Sequence, residues 1–159
     1  MTLAEIRNRL TDKQALMATL YGEARGESLS AMRGVACCIR NRVQLDLGND
    51  GKPDWWGEGY KGVCLAKWQF SCWWELQSKN TEATYAFAER LLSGAATVDE
   101  TRVFDVAATK VMEGAADLTM GATHYVTKAL LAVAPPDWAH NRFPCAIIGS
   151  HVFFNLSKG

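Results

Sequence analysis

The apolar residues of this chain change period once along its length, and that change limits what it can fold into. In four stretches before Gly114 they recur at helical spacing, whereas from Gly121 they gather in short runs rich in β-branched and aromatic residues. The two periods, 3.6 and 2, belong to different elements. The pattern therefore predicts an α+β fold, mainly helical, with a small antiparallel sheet near the C-terminus. Thr2 with Glu5, and Thr11 with Gln14, have capping-box spacing and start helices near residues 3 and 12. In the second of these, Leu16, Met17, Leu20, Tyr21 and Ala24 form an apolar stripe on one face, and Gly26 ends the helix. Ser30 caps a third helix with Met32, Val35, Ile39 and Val43 on its core face and Arg33, Arg40 and Arg42 elsewhere. Further helices run from Asn80 to Gly94 and over Val103 to Met112, and strands are expected at Ala122 to Val126 and Ile147 to Phe154. Residues 46–62, with five glycines and Pro53, and the region of Pro135, Pro136, Asp137 and Pro144 are expected to be loops. No repeat or internal boundary appears, so residues 1–159 are expected to form a single domain.

Charge and composition exclude several functions. The 17 basic and 17 acidic residues cancel, leaving no global attraction for phosphate, and no nucleic-acid partner is expected. The longest strongly apolar stretch, Ala129 to Ala134, is far shorter than the ~20 residues that span a bilayer, so no membrane insertion is expected. Glu5, Arg7, Arg9, Asp12 and Lys13 interrupt the place where a secretory signal needs an apolar run. Synthesis in the cytoplasm without a signal peptide is the matching expectation. The five cysteines form no regular framework; Cys37 and Cys38 suit a buried helix, while Cys64 and Cys72 have a spacing at which pairing in an oxidising space stays open.

Glu23 is the first candidate for chemistry. It lies near the C-terminal end of the second helix, where partial negative charge disfavours a carboxylate, and an apolar cleft there would favour the protonated form that a general acid needs. The plain alternative is a solvated Glu beside Arg25 at a frayed helix end. Glu27 lies one turn on. Trp55, Trp56, Trp68, Trp73 and Trp74 crowd into one segment; each alone suits a core, but together they suggest platforms for flat sugar or base faces. His124 and His151 fall in the two predicted strands, either as structural residues or as neutral imidazoles facing a common cleft. With His140 they lack ligand spacing, so no metal and no cofactor are expected. A Cys64 or Cys72 nucleophile has no local activating group.

These residues also carry a resemblance. The run Tyr21 to Glu27 (YGEARGE), then Asn41-Arg42-Val43, Gln69-Phe70-Ser71-Cys72-Trp73, Gly121-Ala122-Thr123-His124-Tyr125 and Ile148 to Phe153 (IGSHVF) resembles, in order, the spore-cortex-lytic and phage cell-wall hydrolase family. The resemblance implies a lysozyme-like fold and cleavage of peptidoglycan glycan strands at the MurNAc–GlcNAc bond. It implies Glu23 as the one catalytic acid of a lytic transglycosylase, or of a muramidase acting on the same bond. Gln69, Phe70, Ser71, Trp73, Thr123, His124 and Tyr125 are implied as substrate-binding, with Glu27 and His151 secondary or structural. Phe154 stands where the family often has Tyr. A compact phage endolysin is the better analogue, a monomer released to the wall by a holin. A metal- or Cys-dependent amidase or peptidase, and a catalytically silent wall-binding module, are the competing readings.

Overall fold

A computed structural model describes residues 1–45 and 56–157. Its helical part comprises α1 (Leu3–Arg9), α2 (Asp12–Ala24), α3 (Leu29–Gln44), α4 (Gly59–Cys64), α5 (Ser71–Trp74), α6 (Lys79–Ser93) and α7 (Val98–Met112). After these come β1 (His124–Thr127), α8 (Lys128–Val133), a 3-10 turn (Asp137–Ala139), β2 (Ala146–Ile148) and β3 (His151–Phe154). The fold is α+β and mainly helical, with one antiparallel sheet of order β1-β3-β2.

Both capping boxes form: Thr2 and Thr11 each accept from the third helical N–H, and Glu5 and Gln14 accept in return from the cap N–H. The stripe on α2 is too narrow a description. Ala15 to Leu20 are all enclosed, because α3, α4, α6 and α7 surround the helix and leave it no solvent face. Even Thr19 is buried, its hydroxyl donating to Ala15 O (2.8 Å) and accepting from the Trp73 indole (2.9 Å). α3, α4, α5, α6 and α7 all pack on α2, while α1 packs on α6.

Several boundaries differ from expectation. Ser28, not Ser30, caps α3. α7 starts five residues early because Thr97 caps it, and Ser78 caps α6, which Gly94 ends in the left-handed conformation. Glycine-rich residues 59–62 are helical within α4, since Val63 and Cys64 are drawn into the core; the loop expected over 46–55 lies outside the described residues. The single strand expected over 147–154 is a hairpin. Gly149, at φ 58, opens its two-residue turn between Ile148 and His151, which pair. α8 and the short α5 were not expected.

α3 holds the two halves of the fold together. Arg40 and Arg42, expected away from the core face, are buried at 8% and 5% exposure, because the chain between α7 and β1 runs over that side of the helix. Arg40 Nη1 donates to Val111 O (2.9 Å) and Ala115 O (2.6 Å), filling carbonyls at the end of α7. Asn41 Nδ2 donates to Asp117 Oδ2 and to Ala122 O, both at 2.9 Å. Arg42 Nε donates to Thr123 O (2.6 Å). Asp117 also accepts from Thr119 N, Thr119 Oγ1 and Gly121 N, so one carboxylate organises the turn that leads into β1. Burial alone would raise the Asp117 carboxyl, but these hydrogen bonds together hold it below the usual range.

The sheet is covered on both sides. Phe153 packs toward α3, where a Cβ on Gly34 would lie 2.8 Å from its ring. Val126, Val152 and Phe154 form a separate small core with Ala139, against which Trp138, Leu131 and Leu156 pack. All four residues of the central strand β3 are therefore buried, the mark of a strand with no solvent face.

Candidate active site

The end of α2, the segment leading into α5, strand β1 and the 3-10 turn enclose an open cleft of about 630 Å³. Glu23 enters it from the last turn of α2. Close packing fixes that turn: a Cβ on Gly22 would come within 2.5 Å of both Cys72 Cβ and Thr84 Oγ1. Asn80 Nδ2 donates to Gly22 O (2.8 Å) and Arg25 Nη1 to Tyr21 O (2.9 Å), filling carbonyls that the helix end leaves open.

The Glu23 carboxylate is half-buried and, among the described residues, has two donors. The Tyr125 hydroxyl reaches across 102 residues of sequence to donate to Oε2 at 2.9 Å, and the Cys72 backbone N–H approaches Oε1 at 3.4 Å. Burial first, and the Glu23 charge second, push the Tyr125 phenol well above its ordinary value, so it keeps its proton and stays a donor. Tyr125 is itself held between Phe70 (rings 6.4 Å apart, stacked) and His151 (5.4 Å, edge-on).

Of the residues singled out in the sequence, Glu23, Gln69, Phe70, Ser71, His124 and Tyr125 line this one cleft. Trp73 and Thr123 do not. Trp73 is fully enclosed, its indole N–H on Thr19 and its ring edge-on to Tyr85 at 5.2 Å; it packs the core and offers no face to a sugar. Thr123 is fully enclosed too, its hydroxyl turned to His124 and the Leu156 N–H. Glu27 accepts from Ser150 Oγ (2.8 Å) and ties the hairpin tip to the connection between α2 and α3. His151 is buried behind Tyr125; burial lowers its pKa, against the opposing charges of Glu27 and Glu23.

Two cleft residues, Trp68 and Arg42, had no individual role in the sequence analysis. Trp68 is 69% exposed at the cleft wall, leans on Trp74 (5.8 Å), and has a left-handed backbone with φ 68, a conformation uncommon for a bulky residue. Its sequence signal was only its place among the clustered tryptophans. Arg42 also lines the cleft, its Nη1 donating to Gln69 Oε1 (3.3 Å) and its guanidinium lying over the Phe70 ring (5.3 Å). Its helical periodicity pointed away from the core and so concealed it.

Among the described residues no group of three His, Cys, Asp or Glu side chains is placed to hold a metal. Cys64 and Cys72 are free and buried. Burial pushes the Cys64 thiol up to about 12 and, with the Glu23 charge, raises that of Cys72 well above its ordinary value; both disfavour a thiolate. Among the described residues no helix is long and apolar enough to cross a membrane.

Comparison with protein-family models matches residues 26–154 to the cell wall hydrolase family. The chain belongs to the cell wall hydrolase family. No curated protein and no solved structure matches it. Membership carries a peptidoglycan-degrading role for this hydrolase, with peptidoglycan as its substrate. The matched span opens at Gly26 and contains every cleft residue described above except Glu23, which lies three residues before it. Glu23 is thus joined to the family region by geometry, through the hydroxyl of Tyr125.

Proposed function

We propose that the hydrolase cleaves the MurNAc–GlcNAc bond of glycan strands as a lytic transglycosylase, with Glu23 as its single acid and base. The observation that carries this reading is the composition of the cleft wall: among the described residues Glu23 is its one carboxylic acid. Ordinary glycosidases place two carboxylates about 5 to 9.5 Å apart, one of them to activate water or attack the sugar. A transglycosylase needs one. Glu23, protonated, gives its proton to the glycosidic oxygen as that bond breaks. The resulting carboxylate then takes the proton of the C6 hydroxyl of the same muramic ring, whose oxygen closes on C1 to give a 1,6-anhydro product. The attacking hydroxyl belongs to the substrate, so its approach carries no cost of capturing a second molecule.

The remaining cleft residues fit this task. Tyr125 holds Oε2 and aims the carboxylate, as a positioned acid requires. Trp68 presents an indole face on which a pyranose ring can stack. Gln69 and Ser71 are exposed polar groups suited to hydroxyls and acetamido groups. We assign residues 1–159 to one catalytic domain acting as a monomer, of the phage endolysin type, made in the host cytoplasm and released to the wall by a holin. The test is clearance of purified sacculi. Glu23→Gln should abolish clearing while still sedimenting with the walls, and neither a chelator nor a thiol blocker should slow the wild type. Clearing by Glu23→Gln that a chelator or thiol blocker stops would replace this reading with an amidase or peptidase. Wall binding without clearing by the wild type would replace it with a silent binding module.

A further inference from the structure

The enclosed hydroxyl of Thr123 has two partners and only one proton. The Leu156 backbone N–H, which can only donate, reaches Thr123 Oγ1 at 3.0 Å, and His124 Nδ1 lies 2.9 Å from the same oxygen. If Nδ1 carried the imidazole proton, the hydroxyl would accept twice, and its own proton would have no acceptor among the described residues. A fully buried hydroxyl pays for such a loss in stability. If Nδ1 is bare, every group is paired: Leu156 N–H donates to Thr123 Oγ1, and the Thr123 hydroxyl donates to Nδ1. The neutral ring must then carry its proton on Nε2.

The inner edge of the ring is thereby occupied, and Nε2 is the polar atom left for the cleft that His124 lines. Flanking rings shape what it can meet. Trp138, which also lines the cleft, lies at 4.9 Å and tilted, so apolar surface adjoins the donor, while the buried Trp56 backs the ring edge-on at 5.6 Å. A lone hydroxyl has no use for that surface. An acetamido group does, since its carbonyl oxygen accepts while its methyl packs on an indole.

We propose that Thr123 is a positioning residue that locks His124 in the Nε2–H tautomer, giving the cleft a fixed donor for the acetamido carbonyl of an N-acetylated sugar ring. This rests on the glycan reading above and deepens it by naming the substituent recognised. Burial, aided by Arg42 and Arg142, lowers the pKa of His124 to about 4, so the ring is neutral and the tautomer defined at neutral pH.

Two measurements test it. Long-range nitrogen–proton NMR of the imidazole in the ligand-free wild type should report a bare Nδ1 and a protonated Nε2; the opposite tautomer overturns the proposal without touching the glycan reading. Binding is then compared for an N-acetylglucosamine oligosaccharide and its fully de-N-acetylated counterpart. The wild type and Thr123→Ser, which keeps the hydroxyl, should favour the acetylated ligand, while Thr123→Val should lose about tenfold of that preference, the worth of one well-placed hydrogen bond. Retained folding of the Val variant is checked by its tertiary circular dichroism, and His124→Gln, whose amide can still donate, serves as a second variant expected to keep part of the preference. A Thr123→Val protein that discriminates like the wild type, or a wild type that binds both ligands equally, overturns the inference alone. A wild type that binds neither removes the glycan reading itself and the inference with it.

Discussion

At the scale of single residues, the proposed chemistry rests on the Glu23 carboxylate and the Tyr125 hydroxyl that donates to it. Tyr125→Phe removes only the oxygen that donates to Glu23 Oε2 and leaves the ring between Phe70 and His151. Activity on purified sacculi should fall about ten- to hundredfold through kcat, the usual effect of a misaimed catalytic group. An unchanged kcat would show that Glu23 needs no guide. Trp68→Ala should act on the other parameter, raising KM for soluble glycan fragments about tenfold with kcat little changed, because it removes a stacking face and no reacting group. Much of this set was visible in the sequence. Glu23, the Gln69-Phe70-Ser71 run and His124-Tyr125 were singled out by motif and all line the cleft. Which tryptophan faces the cleft was not visible, since Trp68 and Trp73 share one segment and differ only in what covers them: solvent for the first, α2 and Tyr85 for the second.

At the scale of elements, α2 and α3 place the chemistry. Gly22→Ala sets a methyl where Cys72 Cβ and Thr84 Oγ1 stand at 2.5 Å, so α2 must back away from α5 and α6 and carry Glu23 with it. The variant should lose roughly 1–3 kcal/mol in urea unfolding, as overpacked sites do, and lose activity beyond what that destabilisation explains. Full stability would mean that the helices part easily there. Asp117→Ala leaves the N–H groups of Thr119, Gly121 and Asn41 without their shared acceptor and should cost roughly 2–4 kcal/mol by the same measurement. Helix starts were legible where a cap stands in the sequence, as at Thr2 and Thr11. They were misread where two candidates compete, as with Ser28 and Ser30, because only the folded chain decides which hydroxyl reaches an open N–H. Likewise the buried arginines of α3 were hidden: periodicity marks the face toward neighbouring helices, whereas a distant segment covers Arg40 and Arg42 with carbonyls rather than apolar groups.

At the scale of the whole molecule, the small sheet carries an acid-sensitive linkage. His124 titrates near 4 in the folded protein against an ordinary 6.5, so as pH falls the unfolded chain takes up its proton first. The stability His124 contributes is whole above 6.5 and is lost between 6.5 and about 4, on the order of 3 kcal/mol for a shift of that size. His151, lowered by the same burial, adds loss in the same direction. Urea midpoints should therefore drop between pH 7 and pH 4.5, and less steeply in His124→Gln; equal midpoints would contradict a neutral, buried imidazole. The balanced charge of the chain supplies no net attraction for a charged wall. The cleft, with Glu23 alone among its described residues as an acid, is the central claim. Mass spectrometry of the soluble fragments that the wild type and Glu23→Gln release from purified peptidoglycan tests it most directly. The account predicts 1,6-anhydro-muropeptides from the wild type and none from Glu23→Gln. Fragments with free reducing ends, cleaved stem peptides, or an unaffected Glu23→Gln would contradict it.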